Sequence, residues 1–195
     1  MTNSEKRKNQ TKTLVLGAIM TALVIILQLV GTATTFFGPF STAVALVPIV
    51  IGAAMCGTAV GAWLGFIFGA VVILSGGAAL FFAFDVPGTI ITVLFKGTAC
   101  GLCAGLVYKL LEKVNRYVAV MVAAVICPVV NTGVFLLGCF IFFMDSADAI
   151  AETIGMNVSG MALFWALAMG NFLLEVATSL VLSPVIVRVL NISKK

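Results

Sequence analysis

Four polar side chains stand where almost nothing else is polar. Lys96 and Glu175 are formal charges lying well inside long apolar stretches, and Asn131 and Asn171 sit at comparable positions in two of the same stretches. An ammonium, a carboxylate and two amides form a recognition set for an organic solute: the lysine meets a carboxylate or other acceptor, and the amides sort donors from acceptors. Phe84, Phe135 and Trp165 are the aromatic residues placed to pack on the solute's apolar part. A structural alternative uses the same residues, with Lys96 paired to Glu175 and the asparagines bonding between helices. Ionisable groups inside a membrane mark solute pathways by default, which favours the binding set.

Other chemistries are poorly served. The chain has no His, which removes imidazole catalysis and most zinc sites. Cys100 and Cys103 have the spacing of a redox or metal pair, but there is no second pair, and all five Cys lie in apolar stretches, so they read as small packing residues. Gly97-Thr98 follows Lys96 in the wrong order for a nucleotide-binding loop. The expectation is a protein that is not an enzyme and holds no cofactor or metal.

The elements that carry these residues must be membrane helices. Of 195 residues 62% are hydrophobic and 9% charged, with a mean hydropathy of +1.24, whereas a soluble domain is about 25% charged. Leu14 to Val30, Trp63 to Leu74 and Val118 to Ile126 are apolar at nearly every position. A transmembrane barrel would alternate instead, so helices satisfy the backbone.

Charges punctuate the chain. No formal charge lies between Lys12 and Asp85, a stretch of roughly 108 Å as helix, enough for three crossings of a ~30 Å core. Spans near 13–30, 43–56 and 58–75 fit, separated by Gly31 to Ser41 and by the Cys56-Gly57-Thr58 corner, with Pro48 bending the second. Asp85-Val86-Pro87 starts the fourth, which runs to about Tyr108. Residues 117–144 make the fifth, and the sixth begins near Gly160. The fold expected is an all-α membrane protein, a six-transmembrane-helix bundle over residues 13–190. Residues 1–12 form a basic tail and 191–195 a second tail.

Every cation but Lys96 falls in the amino tail, the connection from the fourth span to the fifth, or the carboxyl end. Lys and Arg collect on the cytoplasmic side, so both termini are placed there, and the net charge of +4 needs no nucleic acid to account for it. A cleavable signal is the lesser reading of the amino end, because the apolar stretch is long and Gly31-Thr32-Ala33 is a weak cleavage site. Counting along the spans, Lys96 lies roughly 14 Å from Pro87, Asn171 about 16 Å and Glu175 about 22 Å from Gly160, and Asn131 about 20 Å from Met144. These depths overlap, so the four can line one outward cavity.

Small residues mark close approaches. Gly57, Gly61, Gly65 and Gly69 repeat at one-turn spacing in the third span, and Gly97, Gly101 and Gly105 in the fourth, which predicts tight nesting inside the bundle. Ala18 and Ala22 form a further small pair on the first span, suited to a partner helix or to packing within the subunit.

With its basic tail, Ala18-Ile-Met-Thr-Ala22 and six spans, the chain resembles the S-components of energy-coupling factor (ECF) transporters. The likeness is carried by the stretch Val47-Pro-Ile-Val-Ile-Gly-Ala-Ala-Met-Cys-Gly-Thr-Ala-Val-Gly, by Phe95-Lys-Gly-Thr-Ala-Cys-Gly-Leu-Cys-Ala-Gly, and by Cys127-Pro-Val-Val-Asn-Thr-Gly-Val-Phe. The resemblance implies a multi-pass subunit of a prokaryotic plasma membrane that captures a vitamin or related micronutrient from outside. It also implies docking, through Ala18 and Ala22, on a transmembrane coupling subunit that carries two ATPases, with Gly31 to Ser41 as a gate over the pocket. Folates, pantothenate and riboflavin all fall within it. Rival readings are a self-sufficient proton-coupled carrier using Glu175 and Lys96, an intramembrane enzyme, and a structural assembly subunit that binds no solute.

Overall fold

The computed structural model describes residues 3–34 and 43–193, and the described residues contain helices, turns and no strand. Among the described residues eight α-helices follow one another: α1 (Asn3–Thr34), α2 (Leu46–Cys56), α3 (Thr58–Leu74), α4 (Ala79–Phe82), α5 (Val86–Leu111), α6 (Arg116–Phe142), α7 (Ala147–Thr153) and α8 (Met161–Ser193). Short 3-10 turns, Ala43–Ala45 and Met144–Ser146, precede α2 and α7. Among the described residues four segments are long and apolar enough to cross a membrane: Gln10–Ala33 of α1, all of α5 and α6, and Met161–Arg188 of α8. Helices α2 and α3 are equally apolar but shorter, about 16 Å and 26 Å by their rise. Large side chains such as Leu14, Leu74, Leu110, Ile141 and Val181 are exposed around the bundle, as a lipid environment requires.

Local signals set the helix ends. Asp85 caps α5, its Oδ1 accepting from Gly88 N at 3.1 Å, and Pro87 occupies the first turn, where a missing N–H costs nothing. Asn115 caps α6 by accepting from Tyr117 N and Val118 N. Gly57, with φ +97°, turns the chain between α2 and α3. Pro48 sits in the first turn of α2, which begins at Leu46, where its missing N–H costs little. The amino segment departs from expectation, since helix begins at Asn3 rather than after Lys12. Residues 35–42, which cover most of the expected gate, lie outside the described residues.

Helix α5 is the centre of the bundle, packed along α3 on one side and α6 on the other, with α8 beyond α6. The two glycine seams face each other. A Cβ added at Gly61 would stand 2.6 Å from Gly101 O, one at Gly69 2.7 Å from Val93 O, and one at Gly65 would collide with Gly97 O. Positions rising by four on α3 meet positions falling by four on α5, so the helices run antiparallel with their backbones in direct contact. Where lipid removes the hydrophobic incentive to associate, this close approach gains dispersion and Cα–H···O contacts. The α5–α6 contact is similar at Gly88 against Phe142 and Gly138 against Thr92.

Two apolar clusters result. The larger joins Met20, Val24, Leu46, Ile49, Leu64, Phe68, Cys100, Tyr108, Ala123 and Ile186. The smaller gathers Leu136, Phe143, Ile150, Leu163 and Phe164 around α7, at the end of the bundle opposite Lys109, Arg116 and Arg188.

Gly65→Ala is expected to lower stability by about 1 to 3 kcal/mol, because the obstructing atom is backbone and cannot rotate away. Gly133→Ala, where nothing stands within 4 Å of the added carbon, should leave stability unchanged or slightly raised. Thermal unfolding in detergent measures both, and equal effects would show that the seam is not a contact.

Candidate functional site

A cavity of about 290 Å³ lies between the two clusters. Its polar lining comes from Gln28 and Thr32 of α1, Lys96 of α5, Asn131 and Thr132 of α6, and Asn171 and Glu175 of α8. Helix rise explains why they meet: Lys96 is about 15 Å from the start of α5, Asn131 about 16 Å back from the end of α6, and Asn171 about 15 Å into α8. Phe68, Phe81 and Phe135 supply aromatic wall.

Glu175 is fully buried, and two amides receive it. Asn131 Nδ2 donates to both carboxylate oxygens at 3.3 and 3.2 Å, and Asn171 Nδ2, one turn earlier on α8, donates to Oε1 at 2.8 Å. An ionised carboxylate only accepts, so it holds each amide with its NH2 inward. The opposite atom of Asn131, Oδ1, is then left buried without a hydrogen-bond partner among the described residues. Gln28 repeats the pattern. Its Nε2 donates to Thr32 Oγ1 at 3.2 Å, and Thr32 Oγ1 lies 3.1 Å from Ser75 Oγ beyond α3, while Gln28 Oε1 is buried and unpartnered among the described residues. A buried acceptor left unpaired costs on the order of 1 to 3 kcal/mol.

Lys96 is held differently. Its Nζ lies 5.3 Å from the centroid of the Phe135 ring, a cation–π contact. Phe135 is itself fixed edge-on by Phe81 at 5.5 Å, and Phe81 packs at 5.1 Å against Phe143. The short helix α4 therefore reaches the ammonium through two rings. Glu175 is met by amides and Lys96 by an aromatic face, and the two charges also act on each other electrostatically.

Of the residues singled out from sequence, Lys96, Asn131, Asn171, Glu175 and Phe135 come together here. Phe84 and Trp165 stand elsewhere. Phe84 packs into the apolar cluster around α7. Trp165 is 50% exposed and lines a separate apolar groove of about 230 Å³ between α6 and α8, with Val129, Gly133 and Phe172. Gln28, Thr32 and Phe81 were not foreseen. A glutamine inside an apolar span is the signal by which the first of them could have been found.

The alanine pair of α1 faces outward. Ala18 and Ala22 are exposed, opposite the buried line Met20, Val24 and Gln28. The neighbouring small ledge faces inward instead: Gly17 approaches Val60 of α3, and Thr21 Oγ1 bonds back to Gly17 O at 2.8 Å. All five cysteines are free thiols, and Cys100 donates to Gly97 O at 3.0 Å within the seam.

Searches of curated proteins and of solved structures returned no match. Compared with models of known families, residues 12–187 match the one described as ECF transporter, substrate-specific component. That match spans most of a chain already seen to combine long apolar helices with an internal polar cavity, and the protein therefore belongs to the substrate-specific components of ECF transporters, a family of multi-pass membrane subunits.

Proposed function

We propose that this subunit captures a small organic micronutrient from the outer side of a prokaryotic plasma membrane and delivers it through a transmembrane coupling subunit driven by two ATPases. The observation that carries this reading is the convergence of Lys96, Glu175, Asn131, Asn171 and Gln28 on one aromatic-walled cavity inside an apolar bundle. Taken with the preceding 3-10 turn, α2 joins α3 and the four longer helices as six spans. With the basic residues at the ends of α1, α5, α6 and α8 that face away from the cavity, both termini are cytoplasmic and the cavity opens outward.

Lys96 then holds an acceptor group of the solute, the amides and Glu175 orient its donors, and Phe135 and Phe81 pack on its ring or chain. Phe84 supports that aromatic wall from behind. Ala18 and Ala22 present a flat, small-residue strip on which a coupling helix approaches closely.

Mass spectrometry of small molecules released from the purified, denatured protein is the direct test; recovery of a specific solute is expected. Lys96→Met should weaken binding of that solute by about tenfold to a hundredfold, the worth of a charge-assisted hydrogen bond. Unaltered affinity in detergent would assign Lys96 a structural role. Ala18→Trp should block assembly with the coupling subunit and abolish uptake while leaving solute affinity intact. Uptake that survives loss of the ATPases but collapses with the proton gradient would instead identify a self-sufficient proton-coupled carrier.

A further inference from the structure

One ring of α4 bridges two rings at the end of α6. Phe135 lies within α6 and Phe143 is its C-cap, eight residues later, about 12 Å by helix rise. Phe81 meets both, Phe135 at 5.5 Å with an interplanar angle of 85° and Phe143 at 5.1 Å with 69°. Edge-on contacts of this kind fix the plane of a ring as well as its centre. Lys96 Nζ rests on the far member of the chain, 5.3 Å from the Phe135 centroid. Resting on the solute-binding role just described, we propose that Phe143 is a positioning residue for Lys96: through Phe81 it holds the Phe135 ring that seats the ammonium, and so sets the affinity for the solute without touching it.

Exposure separates the anchor from the working surface. Lys96, Phe135 and Phe81 are each partly exposed and line the cavity. Phe143 is 2% exposed and packs instead in the apolar cluster around α7, with Ile150, Leu163 and Phe164. Phe81 stands on a helix of one turn, Ala79–Phe82, too short to hold its own shape. Its place comes from packing on that cluster, where Phe143 is the ring it touches.

The ammonium is sensitive to such support because attraction to a ring is directional. It acts over the face and within about 6 Å of the centroid, so a contact at 5.3 Å has little slack. Removing the Phe143 ring frees Phe81 to shift, Phe135 then loses its edge-on brace, and the seat of Lys96 moves with it. The ammonium is the group that holds an acceptor of the solute, so the loss reads out as affinity.

The test uses the full-length protein in detergent. Its probe is the small molecule released from the denatured wild type, identified by mass spectrometry and titrated back. Phe143→Leu is expected to weaken binding about threefold to tenfold, the worth of one aromatic pair. Two controls separate positioning from packing. In a Lys96→Met background Phe143→Leu should change affinity by less than about twofold, because the group it positions is gone. Phe164→Leu truncates an equally buried ring of the same cluster that lies outside the Phe143–Phe81–Phe135 chain. It should lower Tm as Phe143→Leu does and leave affinity intact. Affinity untouched by Phe143→Leu, a loss that persists in full beside Lys96→Met, or an equal loss from Phe164→Leu overturns the assignment and leaves solute capture standing. A wild type that releases no solute overturns both readings. If Phe143→Leu does not fold, Phe143→Met, whose flexible side chain fills the same space, carries the same expectations. If neither folds, a single fluorine on the Phe143 ring of the otherwise wild-type protein decides: its 19F resonance should shift on adding the solute, and an unmoved resonance overturns the assignment.

Discussion

A carboxylate enclosed among membrane helices needs donors, and the way Glu175 obtains them organises the rest of the site. Asn131 reaches it from α6 and Asn171 from one turn earlier on α8, so the bond to Asn131 also ties those two helices together at mid-depth. Because the carboxylate takes the NH2 face of Asn131, the carbonyl face is left as a buried acceptor without a hydrogen-bond partner among the described residues. The same group that would be a liability in lipid thus dictates the polarity of its surroundings.

The aromatic side of the cavity obeys a separate logic. Lys96 rests on a ring, that ring is braced by Phe81, and Phe81 belongs to a one-turn helix standing between α3 and α5. An aromatic face stabilises a cation without consuming all of its N–H donors, so the ammonium keeps bonding capacity that a tight ion pair would have used. Helix α1 joins the two sides of the molecule's work. Gln28 lines the cavity on its inner face, and Ala18 and Ala22 present small side chains on its outer face.

Much of this was legible because charges are so scarce. Lys96 and Glu175 stood out against an apolar background, and counting the rise from Pro87, Met144 and Gly160 brought them level with Asn131 and Asn171. The glycine spacing announced a close contact, and the cap at Asp85 announced a helix start. Which face a residue occupies was far less legible. When nearly every position is apolar, helical periodicity carries little information, so nothing separated Trp165, on the outside, from Phe135, on the inside. Phe84 and Phe81 differ by less than one turn, yet only Phe81 lines the cavity. Gln28 was passed over because it lies near the end of its span, where a polar side chain usually finds water. Pro48 was read as a bend because the start of α2 could not be located within an unpunctuated stretch.

Backbones that touch over three successive turns restrict what the sequence can place between them. A side chain at Gly65, Gly97 or Gly101 would run into a carbonyl of the facing helix, so the approach of α3 to α5 admits glycine alone at those points. Gly133, which lines the groove between α6 and α8, has nothing within 4 Å of an added carbon and so tolerates a side chain that the α3–α5 contact does not.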